Sequence, residues 1–218
     1  MKNSHILSLL ALTPALMLPA NAAIALVETE AFVRDGAPDT DQVEGSYIFI
    51  KHHPGGSIRQ AYFQFDLTGE NADLSQAASF SMFLQSARSQ EIQVWALDQA
   101  YDTFTVGATW NNAQANDTTN NEMLTTGLLT ATKLGSSIAV PGTNAGDEVE
   151  VSLASLAPFV FGNKITFAVT GVENATNNTG GLRVEPGISQ LDFVAVPEPG
   201  SLALLGLAGF GFILRRKR

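Results

Sequence analysis

Apolar and polar residues alternate along most of the chain, which is the pattern of β-strands with one buried face. In a strand, successive side chains point to opposite faces of the sheet. The clearest run is Arg59 to Leu67, in which two sets of side chains occupy alternate positions: Ala61, Phe63, Phe65 and Leu67 against Tyr62, Gln64 and Asp66. Comparable runs predict further strands over residues 78–85, 92–96, 148–153 and 164–170, and residues 47–51 and 191–195 are further candidates.

Turn-forming residues separate these runs, as at Pro54-Gly55-Gly56 and Pro141-Gly142. Many short strands at this spacing predict an all-β fold, a jelly-roll-like antiparallel β-sandwich. Residues 111–135 are polar and rich in Asn and Thr, which predicts a long loop with one weak strand. One short helical turn is expected within Leu153 to Phe161.

The N-terminal end has the layout of a secretory signal peptide. Lys2 is followed by an apolar run from Ile6 to Leu18 and then by the small-x-small pattern Ala20-Asn21-Ala22, with a second such pattern at Ala23-Ile24-Ala25. We therefore expect a signal peptide over residues 1–23, which makes the secretion machinery a partner of this chain.

The C-terminal end has three parts in order. Val196-Pro197-Glu198-Pro199-Gly200 precedes an uncharged, mostly apolar run from Ser201 to Leu214, and Arg215-Arg216-Lys217-Arg218 closes the chain. The run is shorter than the roughly 20 residues of a spanning helix, but local thinning of the bilayer and snorkelling of the arginines compensate for that. A hydrophobic sorting helix over residues 196–218 is predicted, with its basic end in the cytoplasm.

These three parts together resemble a PEP-CTERM sorting segment, with Pro197, Glu198 and Pro199 as its motif. The resemblance implies a Gram-negative bacterium that makes exopolysaccharide. It also implies an exosortase as partner, which cuts near the motif. The expected location is an inner-membrane intermediate and then the cell surface or the extracellular space.

Charge and cysteine content narrow the chemistry of the body, residues 24–195. The whole chain has 12 basic and 21 acidic residues; the two ends hold five of the former and one of the latter, so 7 basic and 20 acidic residues remain. This net charge of −13 argues against nucleic acid as a partner. The absence of cysteine excludes disulfides, thiolate metal sites and thiol nucleophiles.

No catalytic motif stands out, and an enzyme is not expected. Glu148 and Glu150, like Glu28 and Glu30, share a strand face, which is common for solvated carboxylates. One loop could hold calcium as a structural ion, because it places three carboxylates around a glycine and a proline: Asp35, Asp39 and Asp41. A turn rich in aspartate also forms without an ion.

A second resemblance rests on motifs in order along the body. Arg34-Asp35-Gly36 comes first, Arg59 to Leu67 follows with its Phe65-Asp66-Leu67 ending, and Thr109-Trp110-Asn111-Asn112-Ala113 comes next, before Lys164 to Thr170. This order resembles the DNRLRE-type domain, similar to carbohydrate-binding module family 96. The resemblance implies a jelly-roll-like sandwich and, for some members, binding of acidic polysaccharides through basic side chains.

The basic residues of the body suggest where such a glycan would bind. Arg34, Lys51 and Arg59 lie on three strands that the resemblance implies and would cluster if these strands are neighbours, and Arg183 could join them. Guanidinium groups suit uronate carboxylates. An alternative is that these arginines form structural ion pairs with Asp35, Glu30 or Asp66. Among the aromatic residues, Trp95 is a stacking candidate, whereas Trp110 is expected to be buried.

Three functions remain open. The first is a surface module that binds polysaccharide, either an acidic glycan or the cell's own exopolysaccharide. The second is a structural biofilm or matrix protein without a glycan site. The third, disfavoured by the missing catalytic residues, is a glycan-cleaving enzyme.

Overall fold

A computed structural model describes residues 22–40, 46–53, 58–87, 90–99, 107–119, 122–127, 129–134, 138–140, 144–173 and 181–196. One 3₁₀ turn lies at Ala157–Phe159. The strands, numbered along the chain, are β1 Ala22–Arg34, β2 Ile48–Ile50, β3 Arg59–Asp66, β4 Ala78–Ala87, β5 Gln90–Leu97, β6 Asn116–Asp117, β7 Glu122–Met123, β8 Ala131–Lys133, β9 Ile138–Val140, β10 Glu148–Leu153, β11 Lys164–Gly171, β12 Leu182–Val184 and β13 Gln190–Val194.

The strands pair antiparallel in the order β2-β12-β4-β13-β1-β3-β11-β5-β8, with β10 beside β4 and β9 beside β5. β6 and β7 form a separate small pair. The long strand β1 takes part in two groups of strands. The first group also contains β2, β12, β4, β10 and β13, and the second also contains β3, β11, β5, β8 and β9. Its first residues, 22–26, pair with β13, and from Val27 onward it pairs with β3, with a register shift between Val27 and Thr29. Because such a bulge bends a strand, β1 passes from one group of strands to the other.

The two groups face each other across a shared apolar core, which gives the chain a sandwich-like arrangement. Phe80 of β4, from the first group, packs on Phe63 of β3 and Phe167 of β11, from the second, with ring centroids 5.3 and 5.4 Å apart. All three side chains are fully buried. On β3 the buried side chains Ala61, Phe63 and Phe65 join this core, as the alternation predicted.

The opposite face of β3 and its neighbours carries a second apolar cluster. Tyr62 of β3 and Ala168 of β11 lie there, together with Trp110, which is 4% exposed. The residues around Trp110 cover this face, and the hydroxyl of Tyr62 donates to the carbonyl of Gln114 at 3.1 Å. Burial of Trp110 confirms the expectation from the sequence.

Most strands predicted from alternation are present, and the expected helical turn is the 3₁₀ turn. Two expectations need correction. The polar segment 111–135 contains three short strands, β6, β7 and β8, rather than one. The three-residue strands β9 and β12 were not predicted, because a segment that short shows no alternation.

The two ends of the chain fall largely outside the described residues. The predicted signal peptide lies there except for Ala22 and Ala23, and so does the hydrophobic sorting helix. Within the described ranges, no helix has the length and apolar content that a bilayer crossing requires. Ala25 is buried and pairs with Leu191, so signal-peptide cleavage after Ala22 would preserve the β1–β13 pairing that cleavage after Ala25 would largely remove.

Candidate functional site

Three of the predicted basic residues lie side by side on neighbouring strands. Arg34, the last residue of β1, is directly opposite Arg59, the first residue of β3. Lys51 forms a β-bridge with Arg59 from the other side. Directly opposed residues of an antiparallel pair point to the same face. The three cationic side chains therefore form a row on one face at this end of the strands.

Two aromatic residues and a fourth cation extend this row. Phe49 of β2 lies opposite Arg183 of β12. The guanidinium carbon of Arg59 lies 4.2 Å from the centroid of the Phe49 ring, and that of Arg183 lies 5.7 Å from it. Arg183 also lies 4.7 Å from the ring centroid of Tyr47. We call the set Arg34, Tyr47, Phe49, Lys51, Arg59 and Arg183 the basic–aromatic cluster.

The carboxylates considered as structural partners for these arginines bind backbone amides instead. The side chain of Asp35 accepts from the N–H of Ile58 at 3.0 Å, and that of Asp66 accepts from the N–H of Thr68 at 2.8 Å. Glu30 accepts from the N–H of Gly187 at 2.5 Å. In the part of the chain that the structure describes, the salt bridge is Lys164–Glu28, and it involves none of the three arginines.

Burial and mutual repulsion disfavour the charged cations of the basic–aromatic cluster, so the cluster favours a bound anion. Burial lowers the pKa of Arg59; among the neighbouring groups, the positive charges of Arg34 and Arg183 also lower it, against Tyr47 and Asp35, which raise it. Burial likewise lowers the pKa of Lys51, and the charge of Arg59 adds to that effect, against Asp35. The Nε of Arg34 is buried without a hydrogen-bond partner among the described residues. A bound anion would relieve the repulsion among these cations.

Trp95, predicted as a further glycan contact, lies apart from the basic–aromatic cluster. It packs against the second apolar cluster, on the face of β5 that carries Leu97, and it is half-buried. Its indole N–H donates to the hydroxyl of Thr170 at 3.1 Å, and the Nζ of Lys133 lies 5.8 Å from its ring centroid. A cleft of about 310 Å³ adjoins it, bordered by His52 among others.

The predicted calcium loop is described only in part, since Asp41 lies outside the described residues. Asp35 binds the Ile58 amide, and the carboxylate of Asp39 accepts from the side-chain amide of Asn111 at 2.7 Å. No group of three metal-ligating side chains occurs among the described residues. Calcium therefore stays a prediction, and the bond from Asn111 shows that this loop is fastened to the turn that follows Trp110.

Sequence reasoning missed the aromatic half of the basic–aromatic cluster. Tyr47, Phe49 and Lys51 stand at every second position, so they share one face of β2. That spacing is the signal that could have found them. It was obscured because Ile48, Phe49 and Ile50 are all buried, so the strand shows no polar alternation.

Replacement of Gly181 by alanine is expected to disturb the basic–aromatic cluster through a steric clash with Phe49. A Cβ at this position would lie 2.6 Å from the Phe49 ring and 3.0 Å from the carbonyl oxygen of Ile50. Because the ring or the backbone must then shift, we expect a loss of about 1–3 kcal/mol in the free energy of unfolding. Denaturant titration measures this loss. Gly36→Ala is the control, since nothing lies within 4 Å of its Cβ; equal losses in both variants would contradict the packing argument.

Glu30 gives the fold a pH dependence of known sign. Burial raises its pKa from 4.5 to about 7, against the hydrogen bond from Gly187, which lowers it. Its Oε2 is buried without a partner among the described residues. A folded-state pKa above the unfolded value means that this stability is complete below pH 4.5 and is lost as the pH rises through 7.

We therefore expect Glu30→Gln to gain stability relative to the wild type on going from pH 4.5 to pH 8. The gain is about 1–2 kcal/mol after allowance for solvent screening. Denaturant titrations of both proteins at the two pH values measure it, and the exposed Glu150→Gln is the control. A difference that does not change with pH would show that Glu30 is ionised in the folded protein throughout.

Comparison with known proteins identifies one segment. Residues 195–218 match the family model of the PEP-CTERM protein-sorting motif. Among curated proteins, none matches this chain. The motif indicates an exported surface protein that an exosortase recognises and processes.

Proposed function

We propose that the body of this chain is a jelly-roll-like sandwich that binds an acidic polysaccharide through the basic–aromatic cluster. One observation carries the proposal: Arg34 and Lys51 lie on either side of Arg59, Arg59 and Arg183 stack on aromatic rings, and within the described residues the three arginines form no salt bridge. The resemblance of the motif order to the DNRLRE-type domain also supports it. A catalytic role is not proposed.

The chemistry of the cluster fits a chain of uronic acids. A guanidinium group binds a carboxylate through two parallel hydrogen bonds, and such charge-assisted bonds are the strong ones. Arg59 and Arg183 are already stacked on aromatic rings, so less side-chain freedom is lost when they bind. The half-buried ring of Tyr47 offers part of its surface to the C–H face of a sugar.

The position of the cluster fits a protein displayed on a surface. Arg34 is at the C-terminal end of β1, whereas Ala22, at its other end, pairs with Val194 beside the start of the sorting motif. Twelve steps along a straight strand would span about 40 Å, and the bend of β1 near Val27 makes the distance shorter than that. The cluster therefore lies far from the segment by which the exosortase and the membrane would hold the chain, and it is free to face a matrix glycan.

Retention on immobilised polysaccharides tests the proposal. The purified chain without residues 1–22 and 197–218 is applied to alginate, pectin and a neutral glucan at low and high salt. We expect retention on the two acidic glycans that salt weakens, because the body as a whole is acidic and only the local cluster attracts an anion. Assays of reducing ends and unsaturated products accompany each column.

The outcomes separate the three functions considered above. No retention on any glycan, with or without calcium, would leave a structural surface protein as the better account. Equal retention on the neutral glucan would contradict the role of the cations. Release of shortened glycan would revive an enzymatic function.

A further inference from the structure

Exposed apolar side chains gather at one place on this protein. Among the described residues, five of the six large hydrophobic side chains that are exposed lie on the first half of β1, on β13 and beside its ends. The sixth is Leu129. We call the five the apolar strip: Ile24, Leu26, Ile188, Val194 and Val196.

The register of β1 and β13 brings these side chains onto one face. Ile24 lies opposite Asp192, and Ala22 lies opposite Val194. Leu26 is two residues after Ile24, so both side chains point to the same face, and the residue between them, Ala25, is buried in the core. Ile24 and Leu26 therefore point outward, where they are 48% and 61% exposed. Outward positions of an antiparallel sheet are normally polar. An apolar strip there therefore indicates a surface that lies against a membrane or another protein.

The strip adjoins the point where the chain passes into its sorting segment. Val196 is fixed to Asn71 by two hydrogen bonds: its N–H donates to the carbonyl of Asn71 at 2.8 Å, and its own carbonyl accepts from the Asn71 side chain at 2.5 Å. The apolar run begins at Ser201, five residues later. Five residues span at most about 17 Å. Any bilayer that takes up Ser201 to Leu214 is therefore held within that distance of the strip.

We infer that the apolar strip rests on the lipid surface of the membrane as long as the sorting segment is attached. This inference depends on the proposed export and anchoring, not on the glycan site. The strip is small, so it binds lipid weakly by itself and depends on the high local concentration that the tether provides. Removal of the tether by the exosortase would then release the whole body from the membrane.

The lipid is expected to be zwitterionic rather than anionic. Asp192 lies opposite Ile24, and Glu28 lies two residues after Leu26, at the register shift of β1. Both carboxylates repel an anionic headgroup, although the salt bridge to Lys164 offsets the charge of Glu28. The apolar side chains of the strip therefore supply the attraction, and the flanking charges select the headgroup.

A single fluorescent label tests the inference, because the chain contains no cysteine. Leu26→Cys is labelled with a nitrobenzoxadiazole dye in the chain from Ala23 to Arg218 and reconstituted in phosphatidylcholine vesicles. We expect a blue-shifted emission, and at least two-fold quenching when the vesicles contain lipid with a nitroxide near the headgroup. Ser152→Cys is the matched control: it is exposed on the outward face of β10, at the other edge of the same group of strands, and should not be quenched.

Four further outcomes are decisive. Equal quenching at positions 26 and 152 would overturn the inference, as would failure of the chain to float with the vesicles. A blue shift that appears without vesicles and grows with protein concentration would show that a second copy covers the strip instead. The same label in a chain that ends at residue 200 is expected to lose its quenching, and retention of quenching there would refute the dependence on the tether. Glycan retention of the labelled protein is scored separately, so the two proposals can fail independently.

Discussion

The double variant Arg34→Gln/Arg59→Gln is expected to bind an acidic polysaccharide roughly 100-fold more weakly than the wild type. Each guanidinium group would contribute about 1.5–3 kcal/mol through charge-assisted hydrogen bonds, so the two together account for about 3 kcal/mol or more. Glutamine keeps most of the side-chain volume and can donate a hydrogen bond, but it brings no charge. Isothermal titration with a defined uronic-acid oligomer measures the effect.

The fold is expected to survive this double substitution. Arg34 and Arg59 repel each other, and the burial of Arg59 opposes its charge, so their removal relieves strain. The unfolding midpoint should therefore stay equal or rise. Lys133→Gln/Lys164→Gln is the matched control, since it removes the same charge elsewhere; its one salt bridge, Lys164–Glu28, is exposed and stabilises little. If the control loses as much affinity, binding depends on overall charge and not on the cluster.

Phe80→Ala is expected to cost about 3–5 kcal/mol of folding free energy, the range for removal of a buried phenylalanine. Its ring is fully buried between the two groups of strands, with ring centroids of Phe63, Phe65 and Phe167 at 5.3, 5.8 and 5.4 Å. Three rings on two other strands cannot all move inward to fill the space, so a cavity remains. Because small domains are stable by only about 5–15 kcal/mol, the denaturant titration is best run at low temperature.

Leu26→Ala is the control for this titration. It removes a large apolar side chain that is 61% exposed, so its cost is expected to stay within about 0.5 kcal/mol. A small loss in Phe80→Ala, comparable to the control, would mean that the two groups of strands do not depend on this contact.

The strand content could be read from the sequence because successive side chains of a strand alternate between its two faces. On β3 the side chains at 61, 63 and 65 enter the main core and Tyr62 enters the other cluster, as alternation requires. The sequence predicts that Arg34, Lys51 and Arg59 cluster only if their strands are neighbours. Which strands become neighbours depends on contacts distant in sequence, and only the observed register places both Arg34 and Lys51 beside Arg59.

Of the rest of the candidate site, the sequence predicts only that Arg183 could join the cluster, for the same reason. Arg183 reaches the cluster on β12, a strand of three residues without a detectable period. The partners of Asp35, Glu30 and Asp66 are backbone amides of turns, and composition gives no sign of them. Trp95 is predicted as a glycan contact because sugars stack on aromatic rings. It lies, however, on the face of its sheet that carries the second apolar cluster.

The pairing of β13 between β1 and β4 has a mechanical consequence. If a glycan holds the Arg34 end of β1 and the sorting segment holds the chain beyond Val196, tension runs lengthwise along these strands. β13 forms five residue pairs with β1 and three with β4, and the hydrogen bonds of an antiparallel ladder are perpendicular to the strands. Such tension shears all these bonds at once instead of opening them one after another. The strand nearest the attachment point is thus the one best placed to withstand drag from flowing liquid.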